Sequence, residues 1–316
     1  MNYYTRNPLD DAKAFVKKNS IFSRLLIINV AVFLAVNLIN LILRLNMVYE
    51  PPEASPLIRW LSVPASLEAL AQKPWTIVTY MFLQQGFFHL FFNMLVFYVG
   101  GRIFLEYMNE KKLLSTYLLG GLAGAVLYIA FFNIFPLLRQ SVNVSIALGA
   151  SASVLAILIA IASYVPNYTL HLFLFGRVKL KYVAIVFIAL DLINIFTVNT
   201  RNPNEINFGG HIAHVGGALW GYYSIHLMKK GYDMSRFLDY FNFKSFWNYF
   251  SKPASSPKYK TTSSPGQRPI DDDEYNYKKA ERQKQVDRIL EKISKSGYSS
   301  LSKEEKEFLF KMSNKS

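Results

Sequence analysis

Two apolar segments of the sequence begin with side chains that together could carry out acyl transfer. The stretch LGASASV, residues 148–154, contains the hydroxyls of Ser151 and Ser153. The stretch GGHIAHVGG contains the imidazoles of His211 and His214. A serine hydroxyl beside an imidazole base is a common arrangement for nucleophilic catalysis. Small residues also let helix backbones approach closely in lipid, so helix packing is the alternative interpretation of LGASASV.

A third apolar segment, FFHLFFNML, adds two hydrogen-bond donors. His89 and Asn93 are four residues apart and therefore lie on the same face of a helix. An imidazole and an amide can both donate to the oxyanion that forms during acyl transfer. Strongly polar side chains are costly in hydrocarbon, so they face the interior of a helix bundle or a water-filled cavity. The three segments together predict one polar site inside such a bundle.

The elements that must position these side chains are apolar helices. Hydrophobic residues make up 52% of the chain, and six segments are candidates for helices that span a membrane. The predicted spans are residues 22–45, 87–107, 113–135, 144–165, 182–196 and 208–228. The fifth span is short and contains Asp191. The sequence therefore predicts an all-α, polytopic membrane protein with a bundle of six helices.

The distribution of lysine and arginine predicts the orientation of the spans. Basic residues concentrate in the N-terminal segment and in the second-to-third and fourth-to-fifth connections, which places both termini in the cytoplasm. The second, fourth and sixth spans then all run inward from the outer face. At about 1.5 Å per residue, Ser151 and His214 each lie about 10 Å beyond the predicted starts of their helices. We expect them to meet in the outer half of the bilayer.

Charge and composition divide the chain into four regions. We predict a cytoplasmic N-terminal segment at residues 1–21 and a membrane domain at residues 22–230. A linker at residues 231–274, rich in serine, proline and lysine, is expected to be largely disordered. We predict a small helical tail at residues 275–316. We attribute the formal net charge of +14 to cytoplasmic segments, and we predict the lipid bilayer, not nucleic acid, as a partner.

The tail shows helical spacing over residues 275–296 and residues 301–313. Ser302 is a candidate N-cap of the second helix, with Glu305 three residues further on, which is the spacing of a capping box. The sequence indicates no chemical role and no particular partner for this tail.

The residue types present exclude several kinds of catalytic site. The chain has no cysteine, which rules out a disulfide framework, a thiolate metal site and a cysteine nucleophile. Zinc intramembrane proteases need a His-Glu-x-x-His stretch, and the pair His211 and His214 lacks the glutamate. Aspartyl intramembrane proteases need two aspartates on two spans, whereas Asp191 is alone in the predicted spans. We interpret Asp191 as a structural hydrogen-bonding residue, and we predict no metal and no cofactor.

The three polar segments resemble the motifs of the rhomboid intramembrane serine proteases, over about residues 22–228. That family has a Gly-x-Ser-Gly motif at the start of its fourth helix, a His-x-x-Gly-x-x-x-Gly motif on its sixth and a His-x-x-x-Asn motif on its second. The counterparts here are Gly149-Ala150-Ser151-Ala152, then His214 with Gly217 and Gly221, and finally His89 with Asn93. The alanine at 152 departs from the glycine of the family.

The resemblance implies a role for each matching residue. Ser151 would be the nucleophile and His214 the general base, without an acidic third member because the family uses a dyad. His89 and Asn93 would stabilise the oxyanion together with the backbone amide of Ser151. The remaining motif residues would support helix packing; they are Gly149, Gly217 and Gly221. The rivals for nucleophile and base are Ser153 and His211, and the motif spacing favours Ser151 and His214.

The function implied by the resemblance is cleavage of the transmembrane segments of membrane proteins by a serine endopeptidase. The motif variant and the absence of a targeting peptide lead us to expect a bacterial inner membrane. The alternative is a catalytically inactive rhomboid-like membrane protein that binds transmembrane clients.

Overall fold

The computed structural model describes residues 20–46, 55–172, 176–196, 208–240, 285–289, 291–293 and 297–313. A long helix lies at each of the six predicted spans. These helices are α1 (Ile21–Leu45), α2 (Phe87–Tyr107), α3 (Glu110–Ile134), α4 (Ser151–Tyr164), α5 (Leu180–Phe196) and α6 (Phe208–Lys229). The chain divides into two compact units, of which the second comprises residues 105–109 and 253–316.

Three of the described helices, α1, α2 and α3, are long and apolar enough to cross a membrane. A fourth apolar helix, α4, has 14 residues and is therefore only about 21 Å long, shorter than a hydrocarbon core of about 30 Å. Length and composition thus indicate a multi-pass membrane protein. The full count of six spans stays a prediction.

The helix α4 begins later than the sequence predicted. The fourth span was expected from residue 144, but α4 starts at Ser151. The preceding residues include strand β2 (Ile146–Ala147), which pairs antiparallel with β1 (Val63–Pro64). Gly149 has a φ of 140°, which is incompatible with a helix and therefore ends the extended segment just before the serine.

This late start corrects the predicted depth of the two side chains. Ser151 is the first residue of α4, and not about 10 Å beyond the start of its helix. His214 is six residues after the start of α6, or about 9 Å along it.

A second pair of strands joins α4 to α5. Strand β3 (Thr169–Leu172) pairs antiparallel with β4 (Gly176–Lys179), with Leu170 opposite Val178. The prediction of an all-α chain did not include these strands or the β1–β2 pair. The described residues are nevertheless mostly helical.

The centre of the bundle is α4, whose residues 152–162 are all buried. A helix that is apolar on every side is suited to such a position. On α6, Gly217 and Gly221 lie against the backbone of α4, because a Cβ atom on either would overlap the carbonyl oxygen of Ala152 or Ala156. The absence of these two side chains allows direct contact between the backbones of α4 and α6.

Glycines of α3 make a similar approach to α4. A Cβ atom on Gly120 would overlap the side chain of Ala156, and one on Gly124 would lie 2.7 Å from the Cβ atom of Ala152. The central helix is therefore in close contact with both α3 and α6.

The tail confirms the predicted capping box. The backbone N–H of Glu305 donates to Ser302 Oγ at 3.2 Å, and the N–H of Ser302 donates to Glu305 Oε2 at 2.7 Å, at the start of the helix Lys303–Ser313. The Lys292 ammonium also donates to this carboxylate at 2.9 Å and is the main reason that the pKa of Glu305 is lowered.

Two predicted regions are described only in part. In the predicted linker, a 3₁₀ turn occupies Met234–Arg236 and a short helix occupies Phe237–Tyr240, while residues 241–274 lie outside the described residues. The first predicted tail helix is described as helical at residues 285–289 and 291–293. The N-terminal segment before residue 20 also lies outside the described residues.

We expect Gly221→Ala to lower the free energy of unfolding by about 1–3 kcal/mol, because the new methyl group would overpack the contact with Ala156. The measurement is unfolding of the purified protein in detergent micelles. Gly100→Ala is the matched control on α2, since its Cβ atom would meet nothing closer than 3.7 Å. A loss of equal size in both variants would contradict the proposed backbone contact.

Candidate active site

The hydroxyl of Ser151 and the imidazole of His214 are in direct contact. Ser151 Oγ lies 2.5 Å from His214 Nε2, although the two residues are 63 positions apart in the chain. Their helices can approach so closely because Gly217, three residues after His214, has no side chain against α4. The pair has the geometry of a hydroxyl that donates its proton to an imidazole base.

The opposite nitrogen of the same imidazole faces a carboxylate. His214 Nδ1 lies 2.7 Å from Asp191 Oδ1, on α5, and His211 Nδ1 lies 2.8 Å from the same oxygen. An acidic side chain therefore lies beside the imidazole, in a hydrogen bond of the kind expected for Asp191, while the expectation of a dyad without an acidic catalytic member stays a prediction. The sequence feature that pointed to this contact was Asp191 itself, an ionisable residue in the middle of an apolar span.

The rival nucleophile, Ser153, faces a different helix. Its side chain is fully buried, and its Oγ lies 2.6 Å from the position that a Cβ atom would take on Gly121 of α3. Among the described residues, no hydrogen-bond partner is found for this oxygen. The rival base, His211, directs its Nδ1 to Asp191. Of the two candidate serines, Ser151 is therefore the one in contact with an imidazole.

His89 lies close to Gly149, the residue two positions before Ser151. A Cβ atom on Gly149 would be 3.0 Å from His89 Cε1 and 3.2 Å from Ser151 Oγ, so both side chains lie close to Gly149. The N–H of Gln85 donates to His89 Nδ1 at 3.2 Å. A neutral imidazole that accepts at Nδ1 carries its proton on Nε2, and His89 is thereby available as a donor near Ser151.

The backbone of Gly149 makes this close approach possible. Its φ of 140° is rarely adopted by other residues, and its N–H donates to the carbonyl oxygen of Tyr80 at 2.9 Å. Tyr80 is in turn attached to α3, because its hydroxyl donates to the carbonyl oxygen of Gly121 at 2.5 Å. The loop that leads into α4 is thus connected to the bundle on the side of the site.

Asn93 belongs to a buried chain of hydrogen bonds. Its Nδ2 donates to Gln84 Oε1 at 2.9 Å, and Gln84 Nε2 donates to Asn29 Oδ1 at 3.2 Å. Asn29 then donates to the hydroxyl of Tyr117 at 3.1 Å, and this hydroxyl donates to the carbonyl oxygen of Met81 at 3.0 Å. The contacts determine the orientation of the Asn93 amide, and one of its two amide hydrogens remains for another acceptor.

A family model described as the rhomboid domain matches residues 71–230, just over half of the chain. The chain belongs to the rhomboid family. A second family model, described as a family of unknown function (DUF6576), matches residues 270–315 in the tail. No curated protein matches the chain. The family and the apolar helices together make the chain a rhomboid-family membrane protein.

Ala152 stands where the rhomboid motif has glycine after the serine. Its Cβ atom lies 2.7 Å from the position that a Cβ atom would take on Gly124, and the residue is buried. The methyl group therefore packs against α3, in space that the glycine on α3 leaves free. The departure from the motif is accommodated by this neighbouring helix.

One cluster among the described residues of this rhomboid protein has the ligand types for a metal ion. The ligand atoms of Asp191, His211 and His214 lie within 4.8 Å of one another. The Nδ1 atoms of His211 and His214 already make hydrogen bonds to the carboxylate of Asp191. The prediction that the site uses no metal stays a prediction.

We expect Gln84→Leu to destabilise the protein by about 1–3 kcal/mol, because it leaves polar atoms of Asn93 and Asn29 buried without their partner. The free energy of unfolding in detergent is the quantity to measure. Gln85→Leu makes the same change at an exposed neighbour and should leave that free energy nearly unchanged. Equal free energies of unfolding for the two variants would show that the buried hydrogen bonds of Gln84 do not stabilise the protein.

Proposed function

We propose that this rhomboid-family membrane protein is an intramembrane serine protease that cleaves transmembrane segments of other membrane proteins. The observation that supports the proposal is the 2.5 Å contact between Ser151 Oγ and His214 Nε2. A hydroxyl and an imidazole brought together from two helices of a membrane bundle are suited to acyl transfer, and neither side chain is fully buried.

In the proposed mechanism, Ser151 Oγ attacks the carbonyl carbon of the scissile peptide bond while its proton passes to His214 Nε2. The C–N bond of the resulting tetrahedral intermediate then breaks, and the histidine returns the proton to the leaving amine. Water attacks the acyl-enzyme ester after losing a proton to the same nitrogen. The ester C–O bond breaks, the proton goes back to Ser151, and the new carboxyl end is released.

The negative oxygen of each intermediate needs hydrogen-bond donors. We assign this role to the Nε2–H of His89, to the backbone N–H of Ser151 and to the Asn93 amide. The first backbone N–H groups of a helix have no partner within the helix, and its N-terminal end favours negative charge. The late start of α4 at Ser151 therefore supports the assignment.

The proposed topology follows from the basic residues of the connections. We infer a cell-membrane location, in a bacterial inner membrane, with six spans and both termini in the cytoplasm. Substrates would then enter from the lipid and be cleaved near the outer face. Membership of the rhomboid family supports a transmembrane segment as the class of substrate and indicates no particular client.

The first test of function is labelling with a fluorophosphonate, which reacts with activated serine hydroxyls. We expect the detergent-solubilised protein to be labelled and Ser151→Ala to remain unlabelled, because the reagent needs the hydroxyl that His214 activates. Ser153→Ala is the matched control, and it should be labelled like the wild type. Equal labelling of wild type and Ser151→Ala would remove the assignment of the nucleophile.

The second test is co-expression with a panel of single-pass membrane proteins, with immunoblots to detect cleavage. We expect wild type to cleave at least one client and His214→Ala to give no cleavage detectable on the immunoblot, with at most a residual rate in a kinetic assay in detergent. With a cleaved client in detergent, His89→Ala should lower the rate about 100-fold, because an oxyanion donor is lost.

Leu95→Ala, at an exposed position of the same helix α2, provides the control for the His89 variant and should retain the wild-type rate. Absence of cleavage by the wild type for every client would favour the catalytically inactive, client-binding alternative.

A further inference from the structure

We propose that Asp191 is a positioning residue of the active site, which holds His214 in the one tautomer that can accept the proton of Ser151. The inference rests on the proposed protease function and extends it from two residues to three. It starts from one distance, 2.7 Å between Asp191 Oδ1 and His214 Nδ1.

The carboxylate of Asp191 lies in apolar surroundings and therefore needs hydrogen-bond donors. The residue lies in an apolar helix, α5, and is buried. It also lines a cavity of about 340 Å³ between α4, α5 and α6, whose walls are mainly apolar side chains such as Leu155, Ile188 and Leu219. An ionised carboxylate in such surroundings is costly unless donors face it. The donors that the described residues supply are the Nδ1–H groups of His214 and His211.

The contact with Asp191 determines which nitrogen of His214 carries the proton. A neutral imidazole has one N–H and one lone pair. Since the carboxylate can only accept, it selects the tautomer with the proton on Nδ1. The lone pair is then on Nε2, 2.5 Å from Ser151 Oγ, where the proton must be accepted. The opposite tautomer would present an N–H to the serine and could not act as its base.

The same contact favours the next state of the reaction. When His214 takes the serine proton, it becomes a cation with both nitrogens protonated. The carboxylate of Asp191 is then adjacent to that positive charge and stabilises it, without itself receiving a proton. The aspartate therefore acts on the reaction through His214 and has no need to touch the substrate.

His211 stabilises the position of the carboxylate. Its Nδ1 donates to the same oxygen as His214 Nδ1, at 2.8 Å, and the two rings are nearly perpendicular, with centroids 5.6 Å apart. Two donors from one turn of α6 thus hold a single oxygen of α5. We expect loss of His211 to loosen this arrangement, and loss of the Asp191 charge to abolish it.

The kinetic test compares Asp191→Asn with wild type on a client cleaved in detergent. We expect kcat to fall by about 10²–10⁴-fold with little change in KM, because the neutral amide no longer selects the tautomer or stabilises the cation. His211→Phe should show a smaller loss. Asn194→Ala, at an exposed position one turn further along α5, is the control and should leave kcat unchanged.

A double variant separates an effect through His214 from a general structural one. If Asp191 acts through the imidazole, adding Asp191→Asn to His214→Ala should cause no further loss of the residual activity. A further loss of the same factor as in the single variant would overturn the proposal.

The tautomer itself can be measured without any protease activity. The chain has five histidines, so ¹⁵N-histidine labelling gives few side-chain signals. The signals of His214 are those that are missing from the spectrum of His214→Gln. In neutral wild-type protein we expect the His214 proton on Nδ1, and in Asp191→Asn a shift of the population toward Nε2–H.

The two readouts distinguish the inference from the proposed function. A wild-type protein that shows the Nδ1–H tautomer but cleaves nothing would contradict the protease function and leave the positioning role intact. An Nε2–H tautomer of His214 in the wild type would overturn the role of Asp191, whether or not Asp191→Asn folds. So would an Asp191→Asn variant with unchanged kcat.

Discussion

The direct contact between the backbones of α4 and α6 is the constraint on which the rest of the site depends. A proton can pass from a hydroxyl to an imidazole only over a hydrogen-bond distance, and a misplacement of about 1 Å is enough to impair such a reaction. Gly217 and Gly221 have no side chains, and a side chain at either position would separate the two helices. The small side chains of Ala152 and Ala156 do the same on α4. Close packing and chemistry are therefore two consequences of the same small residues.

The entry to α4 is the second device that places the serine. Gly149 adopts a backbone conformation that ends the extended segment immediately before the helix, and its N–H is bound to the carbonyl oxygen of Tyr80. Ser151 consequently lies at the first turn of the helix, where unpaired N–H groups are available. His89 lies next to Gly149 and is therefore close to the same end of the helix. A helix that began one turn earlier would have paired the N–H groups that are unpaired in the first turn here.

Two chains of hydrogen bonds join polar side chains within the described part of this apolar bundle. One runs from Ser151 through His214 to Asp191, and the other runs from Asn93 through Gln84 to Asn29. Each group in hydrocarbon needs a partner, because a lone polar atom costs more than the bond contributes. The chains therefore hold their terminal side chains in fixed orientations, as a site for acyl transfer requires.

Local patterns of the sequence determined much of the protein. Hydrophobic stretches predicted the long helices to within a few residues, except at the start of α4, and the match of the rhomboid domain confirmed the family. The capping box of Ser302 and Glu305 was equally accessible, because both partners lie within one turn. Three short motifs in the right order were enough to select the candidate residues of the site.

Only the tertiary structure decided which polar groups meet. Asp191 is 23 positions from His214 and on another helix, so no periodicity relates them, and the sequence alone suggested merely a structural hydrogen bond. The sequence also did not predict the hydrogen bonds from Asn93 through Gln84 to Asn29. Nor did it predict the φ of Gly149. Spacing along the chain predicts neighbours within one helix, whereas contacts between helices depend on how closely their backbones can approach.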